Sequence, residues 1–258
     1  MPPHLAWPNG LSKISSTCFP PPIGSVAFCW HQAFICLFVT GAVVRVVKLS
    51  GLRKAVAERL GYSFRNSLPV ALMTEYDAGP LMMVYRGARE KFGEKSPSIT
   101  AYVVKCVASA LTVHGEFNAN IEGDEIRVLD EVNIAVAVDT PRGLYAPTIR
   151  NVDKKTAVEV EAELRALAEK AVKGTITLNE LAGHGFTVSN LGHLGVTHFT
   201  PIINPPDIAI LGVGAIKNTG DRHRGYLTLV FDHRAADGAP AARFLEEIRH
   251  QLESLDGE

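Results

Sequence analysis

The sequence predicts an α/β fold, a two-layer sandwich with a mixed β-sheet covered by helices on one side. Three observations lead there. From Lys48 onward, stretches with helical spacing alternate with apolar, β-rich runs. No internal repeat, low-complexity tract or Gly-Ser linker divides that region. The chain has 258 residues, of which 47% are hydrophobic and 21% charged, enough to build one sizeable core.

The elements follow in order. In "SGLRKAVAERL", Leu52, Val56 and Leu60 lie one turn apart with charges between them, an amphipathic helix. "LPVALMTEYDA" reads as a strand. Gly79 to Phe92 and Ser98 to His114 carry helical spacing, the second with Ser98 as N-cap. "NANIEGDEIRVL" is a hairpin turning at Gly123-Asp124, and "VNIAVAVDTPRGLYAPTIR" gives two β-rich runs broken at Pro141-Arg142-Gly143. Thr156 to Lys173 is a helix ended by Gly174, with a solvated charged face. A capping box from Thr177 to Glu180 opens a short helix. "GFTVSNLG" is a strand entering a glycine turn, "FTPIINPPDIAILGVGAI" a buried strand introduced by prolines, and "GYLTLVFDH" a last strand. "APAARFLEEIRHQLESL" closes the chain as an amphipathic helix.

Residues 1–45 do not share this pattern. Between Lys13 and Arg45 there is no Asp, Glu, Lys or Arg, and "GSVAFCWHQAFICLFVTGAVV" is long and apolar enough for a membrane segment. His31 and Gln32 weaken that reading, and no clean cleavage site marks a secretory signal. The favoured reading is an apolar leader, unstructured or upstream of the true start, ahead of one catalytic-size domain at 46–258. The formal net charge of -1 and the lack of a basic block with interleaved aromatics argue against nucleic acid as a partner. Cys18, Cys29, Cys36 and Cys106 form no C-x-x-C pair, so neither a disulfide framework nor a metal site is expected.

The stretch "LTLVFDHRAADGAPAARF" is where chemistry is expected. His233 leaves a buried strand at a sheet end, where a cleft can form, and imidazole near neutrality can take a proton from a thiol or hydroxyl. Taken alone it could equally tie down a turn. Asp237, four residues on, can pair with an arginine and hold the turn that aims the ring, and Gly238 would allow a tight backbone there.

"FDHRAADGAPAARFL" resembles the H-x-x-x-D-G signature of the catalytic domain of dihydrolipoamide acyltransferases, the cores of 2-oxoacid dehydrogenase complexes, a signature shared with chloramphenicol acetyltransferase. "KLSGLRKAVAERL", "EVNIAVAVDTPRGLYAPTIRN" and "GFTVSNLGHLGVTHFTPIINPPDIAILGVG" occur in that family's order, so the resemblance covers nearly all of Lys48 to Leu255. It implies a chloramphenicol acetyltransferase-like fold and acyl transfer between dihydrolipoamide and coenzyme A. His233 then matches the family's general base, needed because a thiol with a pKa of about 8.5 is mostly protonated at neutral pH. Ser189 falls at the family's oxyanion-stabilising hydroxyl. Asp237 is the motif aspartate, assigned to orienting the site with Arg53 or Arg59 as partner. Asn190 and Gly238 are expected beside substrate.

The resemblance also implies a homotrimer built into a larger cubic or dodecahedral core, with the His233 of one subunit facing the Ser189 of its neighbour. Partners would be lipoyl-bearing protein and dehydrogenase components, in the cytoplasm or, in a eukaryote, the mitochondrial matrix. Coenzyme A enters as substrate; no lipoyl-lysine hairpin or flexible linker is visible, so the lipoyl group comes from another chain or the sequence is a fragment. His184, His193 and His198 flank the Ser189 strand and read as loop or surface residues, because the chemistry needs only one base. Two further features depart from the family pattern: "AIKNTGDRHR" is short for its hairpin, and Ala235 and Ala236 replace bulkier aliphatics. Another coenzyme A-dependent acetyltransferase of the chloramphenicol type, using the same histidine on a hydroxyl acceptor, and a non-catalytic oligomeric scaffold are the alternatives.

Overall fold

The computed structural model describes residues 46–220 and 222–256. The chain divides into two units, Met1–Lys48 and Leu49–Glu258. The leader and membrane readings of 1–45, with Cys18, Cys29 and Cys36, lie outside the described residues.

The second unit runs helix α1 (Gly51–Asn66), strand β1 (Pro69–Asp77), helices α2 (Gly79–Phe92) and α3 (Ile99–Val113), and the hairpin β2 (Ala119–Glu122) and β3 (Glu125–Val128). Four short strands follow: β4 (Ile134–Val136), β5 (Val138–Thr140), β6 (Gly143–Tyr145) and β7 (Thr148–Ile149). Helix α4 (Ala157–Lys173), strands β8 (Phe186–Asn190), β9 (Ala209–Val213), β10 (Lys217–Asn218) and β11 (His223–Asp232), and helix α5 (Gly238–Glu253) complete it. The main sheet has the order β1-β11-β9-β8-β4-β7, with β10 also on β11. β9, β8 and β4 run parallel and the remaining pairs are antiparallel, so the sheet is mixed as expected.

Strand alternation sorts the two faces. Phe186 and Val188 of β8, Leu211 of β9, and Leu227, Leu229 and Phe231 of β11 point into one core with the helices. There Val103, Val104, Val107 and Leu111 of α3 are fully or almost fully buried, each stabilising by about 1.5–3 kcal/mol. Phe244 of α5 stacks on Phe117 at 4.6 Å and meets Phe186 edge-on at 5.6 Å. Residues of the opposite parity, among them Thr187, Ser189, Ile210 and Val230, face the other side. There Ile203 packs on Ile210 and Val230, and α1 lies nearby.

Local signals set the boundaries. The Ser98 hydroxyl accepts the Ala101 N–H at the start of α3, and Thr156 with Glu159 forms a full capping box before α4. Thr177 and Glu180 also form a capping box, but it opens only a single 3₁₀ turn, Leu178–Glu180. The stretch 134–149, expected as two β-rich runs, is four short strands, and β5 and β6 pair only with each other, apart from the main sheet. The strand predicted from Phe199 is confined to Ala209–Val213, because prolines at 201, 205 and 206 carry no N–H for a ladder. β10 pairs Lys217 and Asn218 with Arg224 and His223, so the short 215–224 segment still makes a hairpin.

Gly225 of β11 sits opposite Tyr76 of β1, and the tyrosine ring lies across it. A Cβ at Gly225 would come 2.2 Å from Tyr76 Cζ. The ring is fully buried, so it has no room to swing aside. Gly225→Ala is therefore expected to destabilise by about 1–3 kcal/mol as overpacking. At about 2–4 °C per kcal/mol, calorimetry should record a fall in Tm of about 2–12 °C.

Candidate active site

Ser189 is the fourth residue of β8, and its hydroxyl makes no hydrogen bond among the described residues. It lines a cavity of about 350 Å³. Leu52, Val56 and Leu60, the stripe that identified α1 in the sequence, form part of one wall. Phe199, Pro201, Ile202 and Asn204 form part of another. The lining is mostly apolar, with Thr187, Ser189, Asn204, Arg59 and Tyr145 among its polar points. The chain can turn away after β8 because a Cβ at Gly192 would lie 2.5 Å from the Gly214 carbonyl oxygen, a distance only glycine avoids.

Asn190 is placed differently from the expectation. Alternation turns it to the helix side, where its Nδ2 donates to Thr100 Oγ1 at 2.9 Å and its Oδ1 accepts the Gly192 N–H at 2.8 Å. It closes the turn after β8 rather than facing the cavity beside Ser189.

The histidine motif is set by a buried carboxylate. Asp232 ends β11 almost fully buried; its Oδ1 accepts the N–H groups of Leu68 and Arg234, and the Arg234 guanidinium grips both its oxygens, with Nη2 at 2.6 Å from Oδ2. Burial works to raise the Asp232 carboxyl, but these hydrogen bonds outweigh it and hold the group below its ordinary value. The His233 N–H donates to the Leu68 carbonyl at 2.9 Å, fixing the backbone that presents the ring. The side chain is 44% exposed, and its Nδ1 lies 3.8 Å from Asp237 Oδ1. Asp237 is the N-cap of α5, makes no capping hydrogen bond and is largely exposed.

Two expectations about this turn are corrected. Arg59 does not meet Asp237: its Nε donates to Asn204 Oδ1 at 3.3 Å and its Nη2 to the Pro205 carbonyl. Arg53 makes no ion pair with Asp237 among the described residues either. Gly238 has ordinary negative φ and an added Cβ would meet nothing within 4 Å, so the fold of this chain does not demand glycine there. The sequence reading missed Asp232 and Arg234, the pair that shapes the turn; only the adjacency of opposite charges at a strand end hinted at it.

A carboxyl held below its ordinary value contributes stability that is present above the unfolded value of about 4 and lost as pH falls through the native one. Melting temperature should therefore drop on acidification below about pH 4. In Asp232→Asn that drop should be shallower, from a lower starting stability, which a series of melts from pH 6 to pH 3 would show.

Strand register measures how far apart Ser189 and His233 are. Ser189 pairs with Gly212, and Gly212 with Thr228, five residues before His233. Two strand spacings sideways and five residues along the strand put the two about 20 Å apart, at about 4.8 Å per strand and 3.4 Å per residue. Within one chain, no group can touch both.

The other histidines divide. His193 and His198 are exposed, His198 with its ring against Tyr226. His184, expected at the surface, is buried, with Nδ1 2.6 Å from the buried Asp207 Oδ1. No local pattern signals this pair, because Asp207 lies 23 residues away across β8. Cys106 is buried in α3, and burial pushes its thiol up to about 12, so it is protonated and offers no competing nucleophile. Among the described residues no group of His, Cys, Asp or Glu is arranged to hold a metal ion.

Residues 42–257 match the family model of 2-oxoacid dehydrogenases acyltransferase (catalytic domain). The chain is 38% identical over 219 residues to the dihydrolipoyllysine-residue succinyltransferase component of the 2-oxoglutarate dehydrogenase complex of Haemophilus influenzae, covering 80% of this chain and 53% of that protein. It thus spans about half the length of the curated relatives it matches. The dihydrolipoamide acetyltransferase of Azotobacter vinelandii superposes with a TM-score of 0.78 at 33% identity, over 92% of this chain and 98% of that one. Crystallographic and enzymatic work on that protein concerned a serine, a histidine and an asparagine in its catalytic mechanism. The cubic core of a pyruvate dehydrogenase multienzyme complex gives 0.78 at 32% identity, with the same coverage. A chloramphenicol acetyltransferase, at 15% identity and a TM-score of 0.52, shares the fold.

Proposed function

From the premise that the chain belongs to the 2-oxoacid dehydrogenase acyltransferase family, as its catalytic domain, we propose that residues 46–258 transfer an acyl group between dihydrolipoamide and coenzyme A. The working unit is a trimer or a larger assembly of trimers, and each active site joins two subunits. One observation carries this reading: the motif histidine and the strand serine are both present, neither side chain makes a hydrogen bond among the described residues, and they lie about 20 Å apart within one chain by strand geometry.

In this reading His233 of one subunit reaches the cavity mouth of the next. Its ring is half exposed and free to accept the thiol proton, with the Asp237 carboxylate 3.8 Å from Nδ1. The thiolate attacks the thioester carbonyl, forming the new carbon–sulfur bond, and the carbonyl oxygen takes up negative charge. The Ser189 hydroxyl, with no partner of its own, donates to that oxygen. Collapse expels the second thiolate, which recovers the proton from His233. The mostly apolar cavity keeps water from the thioester and accepts an extended, uncharged arm. The cyclic symmetry that repeats one interface repeats one site per subunit. The lipoyl arm comes from a lipoyl-bearing chain and the acyl group from a dehydrogenase component, in the compartment that holds them, cytoplasm or mitochondrial matrix.

The test is a coenzyme A acylation assay with free dihydrolipoamide, using acetyl and succinyl donors, alongside a mass measurement of the particle. Thioester exchange by a species of at least three chains is expected. Acylation of a small alcohol but not of dihydrolipoamide, or turnover by an isolated monomer, would contradict the reading.

A further inference from the structure

The segment from Phe199 to Pro206 forms a wall of the Ser189 cavity but has little backbone to hold it. Among the described residues none of its N–H groups donates to another backbone group, and three of its residues are prolines. Its shape therefore depends on side-chain ties. Two come from α1: Ser63 Oγ donates to the Ile203 carbonyl at 2.7 Å, and Arg59 holds Asn204 and the Pro205 carbonyl.

The third tie is a closed polar cluster beneath the cavity floor. Buried Asp207 collects three donors: His184 Nδ1 at 2.6 Å, Thr187 Oγ1 at 2.6 Å and Asn120 Nδ2 at 3.2 Å. Asn204 Nδ2 donates to Thr187 Oγ1 at 3.2 Å and faces His184 Nε2 at 3.4 Å. These partners define the tautomer. Nδ1 carries the proton toward the carboxylate, and Nε2 is left as acceptor for the Asn204 amide. A buried carboxylate with three donors is satisfied; with one removed it is not, and its neighbours must rearrange to reach it.

Two of the residues so fixed, Thr187 and Asn204, line the cavity with Ser189, and Thr187 is two residues from Ser189 on the same face of β8. We propose that His184 is a positioning residue for acyl transfer. Through Asp207 it sets Thr187 and Asn204, and with them the wall segment against which substrate is aligned. This rests on the reading that the Ser189 cavity takes the acyl-bearing arm. His184 touches no substrate and exchanges no proton with it.

The experiment compares His184→Ala, His184→Asn and Thr187→Val with wild type in the assembled protein, by backbone hydrogen exchange and by steady-state kinetics. Asparagine can place an N–H where imidazole Nδ1 was; alanine cannot. In His184→Ala, exchange at the Asp207 and Ile121 amides, which bond to the Asn204 and Pro206 carbonyls, should quicken about tenfold or more as the segment loosens. kcat/KM should fall about 10- to 100-fold, the scale of a misplaced reacting group. His184→Asn should restore most of both, and Thr187→Val should loosen the same amides without touching the histidine. Unchanged exchange in His184→Ala would overturn the proposal. So would an Asn variant as impaired as Ala, or a loosened segment with undiminished kcat/KM. If His184→Ala does not assemble, the Asn and Val variants decide by the same criteria. Wild-type protein inactive on dihydrolipoamide would instead sink the functional reading, and the exchange data would still decide whether His184 holds the wall.

Discussion

Replacing His233 with alanine should lower acyl transfer by about 10²–10⁴ while leaving the fold and the assembly intact. The size follows from the role: without a base the attacking thiol, with an ordinary pKa of about 8.5, is mostly protonated at neutral pH and must lose its proton unaided. The intact fold follows from the surroundings. What anchors this turn is the backbone bond from His233 N–H to Leu68 and the Asp232–Arg234 pair, neither of which uses the imidazole. The ring is 44% exposed, so its removal opens no core cavity. The variant's melting curve and particle mass should match wild type, while its rate of thioester exchange collapses. A variant that keeps most of its activity would place the base elsewhere.

Ser189→Ala should cost about 10²–10³ in kcat with little change in coenzyme A affinity. An oxyanion donor acts on charge that develops only in the transition state, so its loss appears in kcat rather than in binding. The substitution is clean here because the Ser189 hydroxyl has no partner among the described residues, and its deletion orphans no other group. The backbone here is held by its pairing with Gly212 of β9 on one side and, at the adjacent Val188 carbonyl, by the Ala137 N–H on the other, and does not depend on the side chain. Steady-state kinetics with both substrates varied separate the two outcomes. A loss confined to KM would show that Ser189 binds rather than stabilises.

Which features were legible in the sequence follows from the range of the interactions that set them. Helix α1 was readable because Leu52, Val56 and Leu60 repeat with the helical turn, and the same stripe lines the cavity. The α3 and α4 boundaries were readable because Ser98, Thr156 and Gly174 act on residues within a few positions. Ser189 and His233 were found by motif, but not their separation, which depends on the register through β9. The wall segment was misread as strand since apolar composition does not distinguish a ladder from a loop once prolines remove the donors. His184 was misread for a related reason: its partner Asp207 with the nearby Asn204, and its neighbour Asn120, come from two other parts of the chain, joined only after the sheet forms. Gly238 shows the opposite error, a glycine credited with a backbone role that its φ does not require.

Whether His233 and Ser189 act across a subunit boundary is tested directly by mixing two inactive chains. Chains carrying His233→Ala and chains carrying Ser189→Ala are dissociated, combined and reassembled, and mass measurement verifies that both are present in the same particles. If the site is shared, some interfaces in each mixed trimer pair an intact histidine with an intact serine, and a fraction of wild-type thioester exchange returns. Verified mixed particles with no more activity than either parent would contradict the shared site, and with it the inference drawn from strand register.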